Sequence, residues 1–335
     1  AKDTNPEFKS FTWTPKKEST LIENQLAAVA RAIKSLAPDK KEPLEKGSWV
    51  WTPNKYLTKT YVDQIISGAK ENNINVIYLS IDSYLEIFEM PKGENRNIAK
   101  KNFEQNTEYF IKKANESGIQ VDAMAGWQNW SEPGNEYKGL IVMNYAKSFN
   151  TKSEYKFRGF QYDVEPYLLP KYKENPTEVL KNFVSFIDNS EKFLGESNLR
   201  FSIVVPDYYD EGDSMTPKFK YAGSNNFAFK HLLNILDRRE GSSIIVMSYR
   251  NFAEGPDGSI EVSRNEINTG LRGRHNTKII IAQETGDFPP PYITFHNTSK
   301  KYFDEETGKI INSFDKYKNF GGISIHYINS LLALK

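Results

Sequence analysis

From Ser48 onward the chain repeats one pattern eight times: a short run rich in Val, Ile and Tyr, then a longer stretch before the next run. The runs are Ser48–Thr52, Asn75–Ile81, Gln120–Ala125, Gly159–Glu165, Arg200–Val205, Ser243–Tyr249, Lys278–Gln283 and Gly322–His326. Their length and β-branched or aromatic content predict strands. Several intervening stretches carry apolar residues at helical spacing: Tyr61–Glu71, Ala99–Ser117 and Pro176–Leu194, with weaker patterns at Ala228–Leu236 and Lys301–Tyr317. The third begins with Asn175 as cap, Pro176 at the first helical position and Glu178 three residues after the cap. Strands alternating with helices predict an α/β protein with a parallel sheet. Eight such units predict closure into a (β/α)₈ TIM barrel. An open doubly wound sheet is the alternative. The first strand is not followed by a Gly-rich phosphate loop, which counts against a nucleotide-binding version.

The chain has 335 residues, enough for one such barrel and an additional segment. Residues 1–47 read as that segment, an N-terminal helical extension packed on the barrel, and 48–335 as the catalytic domain. Leu21 to Leu36 has apolar residues at helical spacing, Thr20 and Glu23 fit a capping box, and Asp39 to Lys46 forms a charged linker. With 44 basic and 43 acidic residues the net charge is +1, so nothing suggests a nucleic-acid partner or an anionic membrane. No apolar run reaches the roughly 18 residues that cross a bilayer. The lack of Cys excludes disulfides and thiol catalysis. The chain starts at Ala1 without an initiator Met, which fits a processed export signal or a trimmed chain; the expectation is a secreted or cell-surface monomer.

In a barrel, reactive groups sit where strands end, at their C-terminal face. The fourth run carries the strongest signal. Side chains alternate along a strand, so Gln161, Asp163 and Glu165 share one face and Phe160, Tyr162 and Val164 the other. The apolar set faces the helices and the polar set the barrel interior. Two carboxyls and an amide pointing inward are costly unless they are hydrogen-bonded or used. One carboxylate anchoring a loop through an Arg is the structural alternative. Neighbouring carboxylates raise one another's pKa, and a Glu so raised can protonate a leaving oxygen, as glycosidic cleavage requires.

Arg158-Gly-Phe-Gln-Tyr-Asp-Val-Glu165 resembles the fourth-strand signature of the family 18 glycoside hydrolases, the chitinases and their relatives, which is Asp-Gly-x-Asp-x-Asp-x-Glu. Gly159, Asp163 and Glu165 match; Arg158 and Gln161 stand where the signature has acids. Val246-Met-Ser-Tyr249 resembles the family's Met-x-Tyr-Asp, with Arg250 in place of the Asp. Ala125-Gly126-Trp127 is similar to the Gly-Gly-Trp after the third strand, and Phe320 to Tyr327 to the last strand without its usual Trp. The resemblance is scattered over the barrel and implies distant kinship. It implies a substrate-assisted mechanism: Glu165 as the acid, Asp163 orienting the 2-acetamido group of the sugar, and Tyr249 hydrogen-bonded to that group.

A competing enzyme reading takes Glu284, which ends the seventh run, as the nucleophile of a two-carboxylate retaining glycosidase with Glu165 as acid/base. A structural role for Glu284, for instance as the partner of Arg250, is the alternative. Gln161, Trp51, Asp82, Trp127, Asp207, Tyr208, Arg250, Glu284 and His326 are the expected carbohydrate-contacting residues. Trp130, Tyr84 and Tyr209 also follow strand ends, where a Trp or Tyr serves sugar stacking or plain packing. His326 serves either substrate contact or a hydrogen bond to a carboxylate, against a buried structural role. Aromatics make up 13% of the chain, which suits sugar rings and ordinary cores alike. No metal or other cofactor is expected, because His231, His275, His296 and His326 have no paired spacing; a carboxylate-held divalent ion stays open. The rival from another class is a barrel that binds carbohydrate without turning it over.

Overall fold

The computed structural model describes residues 43–335. Eight parallel strands close into a barrel: β1 Glu45–Val50, β2 Val76–Ser80, β3 Gln120–Ala125, β4 Gly159–Tyr162, β5 Arg200–Pro206, β8 Ser243–Met247, β9 Lys278–Glu284 and β10 Phe320–His326. All eight expected strands are present in order. An antiparallel hairpin, β6 Phe219–Tyr221 and β7 Ser224–Asn226, is inserted between β5 and β8. The expected helix at Leu21–Leu36 lies outside the described residues. The barrel begins at Glu45, three residues before the expected boundary, so Glu45 and Lys46 belong to β1 and not to a linker.

The helices are α1 Lys59–Glu71, α2 Tyr84–Glu89, α3 Glu94–Glu116, α4 Glu136–Lys152, α5 Pro170–Glu174, α6 Pro176–Leu194, α7 Ala228–Leu236, α8 Ser259–Val262, α9 Arg264–Arg272, α10 Lys300–Phe314 and α11 Ile328–Ala333. Helix α6 has its expected start: the Glu178 N–H donates to Asn175 Oδ1 at 3.2 Å. Helix α4 escaped the sequence pattern. Its consecutive buried residues Gly139 to Met143 wrap most of the way round it, which erases the one-sided apolar stripe.

Strand alternation divides the core in two. Trp49, Val76, Tyr78, Met124, Val204, Ile245, Ile280 and Ala282 fill the barrel interior as one cluster. Their strand neighbours, among them Ile77, Leu79, Phe160, Tyr162, Ile244, Val246 and Ile281, belong to the larger layer beneath the helices. Phe160, Tyr162 and Val164 therefore face outward, as their alternation predicts. Gln161 points inward, accepting from Trp49 Nε1 at 2.8 Å and donating to Ser202 Oγ at 3.3 Å.

The N-terminal end of the barrel is tied by ions. Arg158 donates to both oxygens of Asp122, at 2.9 and 2.6 Å, and to Glu45 at 2.8 Å. Tyr78 donates to the other Glu45 oxygen. Closure between β1 and β10 depends on Gly322, whose φ is +124° and where a Cβ would lie 2.0 Å from the Glu45 carbonyl oxygen.

Candidate active site

Strand β4 ends at Tyr162, so Asp163 and Glu165 leave the sheet and enter the mouth of the barrel. Asp163 is anchored by its backbone, since its N–H donates to the Ala125 carbonyl at 3.0 Å. Gly126 allows that approach: a Cβ there would lie 1.8 Å from the Asp163 carbonyl oxygen. Gly126→Ala is accordingly expected to push the two segments apart and destabilise the fold by about 1–3 kcal/mol, measured by urea unfolding. Downstream, Pro166 opens the 3-10 turn Pro166–Leu168, which folds Tyr167 back so that its hydroxyl donates to Glu165 Oε1. Tyr167 was not among the expected site residues. The Glu-Pro-Tyr spacing was its signal, because a turn started by Pro returns the second following side chain toward the Glu.

The charges around Asp163 are all negative. Its Oδ1 is shut off from solvent and has no hydrogen-bond partner. Burial pushes its carboxyl well above the usual range, and the charges of Glu165 and Asp82 push it further. Asp82, after β2, accepts from the Gly126 N–H at 2.9 Å and from Ser80 Oγ at 3.3 Å. Burial nevertheless lifts it to about 7. An unfolded-chain Asp ionises near pH ~3.9. Between about pH 4 and 7 the folded chain thus holds a proton that the unfolded chain releases, and stability falls as pH rises through that window. Asp82→Asn is expected to remove this contribution, at most about 4 kcal/mol, and to flatten the difference in urea stability between acidic and neutral pH.

Tyr249 follows β8 and lies against the inner cluster. Burial keeps its hydroxyl protonated, helped by the carboxylates of Glu284, Asp163 and Glu165. It therefore remains a hydrogen-bond donor among three acids. Glu284 ends β9 and is 3% exposed. Its Oε1 accepts from the Gly286 N–H at 2.6 Å, and its Oε2 meets His326 Nδ1 at 2.6 Å. Trp51 Nε1 donates to His326 Nε2 at 2.9 Å. An indole N–H only donates, so His326 is neutral there and its proton sits on Nδ1, facing Glu284. The structure thus gives His326 the carboxylate-bonding role.

The partner suggested for Glu284 needs correction. Arg250 lies 3.6 Å from Asp207 and 2.9 Å from Asp257, and it does not serve Glu284. The Arg250 charge draws Asp207 down, but burial outweighs it and leaves Asp207 at about 6. Gln161, expected to contact substrate, is 0% exposed and spends its amide on Trp49 and Ser202, one strand repeat below Asp163. Tyr208 is half-buried with its ring 6.0 Å from that of Tyr167. Tyr84 is half-buried against the core on α2, its ring 4.2 Å from Tyr145. Trp130 and Tyr209 are core residues, whereas Trp127 is 60% exposed. Phe288 and Tyr292, on the loop after β9, are exposed as well and were not anticipated. Among the described residues no group of three or more His, Asp or Glu is arranged to hold a metal ion. A cavity of about 200 Å³ between α2, α3 and α4 includes Lys100, Glu104 and Tyr145 and shares none of these mouth residues apart from Tyr84.

No protein-family model matches the chain, and no curated protein matches it by sequence. Solved structures do. The GH18 chitinase from Pseudoalteromonas aurantia superposes with a TM-score of 0.52 at 13% identity, over 84% of this chain and 93% of that one. The chain has the fold of the glycoside hydrolase barrels. The C-terminal domain of a putative chitinase from Desulfitobacterium hafniense DCB-2 gives 0.51 at 12% identity, over 85% and 94%. An exo-β-1,4-mannosidase from Opitutaceae bacterium strain TAV5 gives 0.52 at 10% identity; the chain covers 51% of it, about half its length. These glycoside hydrolase barrels share the closed eight-stranded architecture with the present chain, as the sequence resemblance implied. Among the described residues no helix is long and apolar enough to cross a membrane.

Proposed function

We propose that the chain is a glycoside hydrolase that cleaves an N-acetylated carbohydrate with Glu165 as general acid and Asp163 and Tyr249 assisting. One observation carries this reading: two carboxyls leave the end of β4 together at the barrel mouth, above the inner cluster against which Tyr249 packs. In the substrate-assisted scheme Glu165 protonates the glycosidic oxygen. The sugar's own acetamido oxygen attacks the anomeric carbon. Asp163 accepts from the acetamido N–H, and Tyr249 donates to the acetamido oxygen. Water then opens the cyclic intermediate as Glu165 takes back the proton. Trp51 and Trp127 are proposed to stack on sugar rings, and an extracellular polymer is the proposed setting.

Glu284 is better suited to holding His326 and the Gly286 backbone than to attacking a sugar, because its two oxygens are both engaged within the chain. Glu284→Gln is expected to lose at least about tenfold less kcat than Glu165→Gln. Assays on N-acetylated and unacetylated aryl glycosides check this. Equal losses in the two variants would favour the two-carboxylate mechanism.

A further inference from the structure

A second cluster of polar side chains lies at the opposite end of the barrel from Glu165, where the chain enters β9. Lys230 extends from α7, Asp237 follows that helix, and His275 sits in the loop between α9 and β9. The Lys230 amine meets His275 Nε2 at 2.7 Å, and His275 Nδ1 lies 3.3 Å from Asp237 Oδ2. His275 is buried. Asp237 is itself fixed, since its Oδ1 accepts from the Asn276 and Thr277 N–H groups at 2.7 and 3.1 Å. Burial works against its charge, but His275 and these two N–H groups outweigh it and leave Asp237 at about 2. Gly273 makes the close approach possible: a Cβ there would lie 2.4 Å from His275 Nε2 and 2.7 Å from the Lys230 amine. The order amine, imidazole, carboxylate places a base behind Lys230 and an anion behind the base.

An ammonium only donates, so it donates to Nε2, and His275 is then neutral with its proton on Nδ1, toward Asp237. That contact is at ion-pair distance without an aligned hydrogen bond, so Asp237 acts on the ring through its charge. Once the ammonium has lost a proton to water, the amine still donates one N–H to Nε2 and its lone pair is free. Burial favours that neutral form of Lys230, and the Asp237 charge opposes it only in part. An amine bonded to a base that an anion backs has the layout of an activated nucleophile. We propose that Lys230 is a nucleophilic lysine and a site of N-acylation by an activated acyl donor, either an acyl phosphate or a thioester. The Nζ lone pair attacks the donor's carbonyl carbon and a C–N bond forms. His275 Nε2 takes the proton that the nitrogen gives up, and Asp237 stabilises the imidazolium. The C–O or C–S bond to the leaving group breaks, phosphate or thiolate departs with the electron pair, and the imidazolium returns its proton to water. The product is an amide, and nothing is oxidised or reduced. Lys147 is the contrast: burial lowers it as well, but its amine donates to the Phe193 carbonyl at 2.6 Å, an acceptor that does not take a proton.

The test reads acetylation rates lysine by lysine in the folded full chain, by peptide mass spectrometry. Acetyl phosphate and acetyl-coenzyme A serve as donors in separate arms, and the chain has no Cys to divert the acyl group. Lys230 is expected to react at least about tenfold faster than Lys147 and the exposed Lys220 in one arm or both, and the faster arm identifies the donor class. His275→Gln keeps an acceptor for the amine and removes the base. It is expected to abolish the advantage of Lys230 while the rates at Lys147 and Lys220 stay as in wild type, which also reports an intact fold. If that variant does not fold, Asp237→Asn, which removes the anion behind the ring, is expected to lower the Lys230 rate alone. An advantage below about tenfold in both arms, or one that persists in the variant that folds, would overturn the proposal.

Discussion

Glu165→Gln is expected to lower kcat on an N-acetylated glycoside by about 10²–10⁴-fold, the usual worth of a positioned general acid. The substitution keeps the side-chain shape and an oxygen that can accept from Tyr167, whose hydroxyl bonds Glu165 in the folded chain. It removes only the transferable proton. Stability to urea is therefore expected to change little, and KM to change less than kcat, because the loss falls on the transition state. A substrate whose leaving group needs no protonation, such as a dinitrophenyl glycoside, is expected to recover much of the first step. Steady-state kinetics on leaving groups of graded acidity measures this.

Arg158→Met is expected to destabilise the barrel by about 3–5 kcal/mol, the cost of leaving buried carboxylates without their cation. Arg158 holds both oxygens of Asp122 and one of Glu45, and all three side chains are largely buried, with Asp122 at 4% side-chain exposure. At this chain length such a loss lowers the melting temperature by roughly 10 °C. Adding Asp122→Asn and Glu45→Gln is expected to recover part of it, since the unpaired charges, more than the missing attraction, carry the cost. Activity per folded molecule is expected to stay near wild type, because the network sits at the opposite end of the barrel from Glu165. Thermal melts of the single and triple variants check both statements.

Arg158 also illustrates what the sequence could convey. It stands where the chitinase-like signature has an acid. In the fold it lies at the far end of β4, where an ion network closes the barrel, and nothing in the sequence paired it with Glu45, 113 residues away. The strands were legible because two-residue alternation and short apolar runs are local signals. The inward direction of Gln161 follows the same alternation, whereas Asp163 and Glu165 lie beyond the end of β4 at Tyr162, where alternation no longer holds. Glu284 was harder. Its position at the end of β9 could be foreseen, but its partners His326 and Gly286 depend on a turn and on a neighbouring strand's register. Asp82 was named as a contact residue from its place at a strand end. Its link to Asp163 through Gly126 exists only once β2, β3 and β4 lie side by side.

The most direct measurement is the anomeric form of the first product, followed by ¹H NMR while the wild-type chain acts on a β-linked N-acetylglucosamine oligosaccharide. Acid catalysis by Glu165 with help from the substrate's acetamido group predicts the β-anomer first, and none from Glu165→Gln. Release of the α-anomer first, equal rates from wild type and Glu165→Gln, or no turnover by a folded wild-type chain would contradict it.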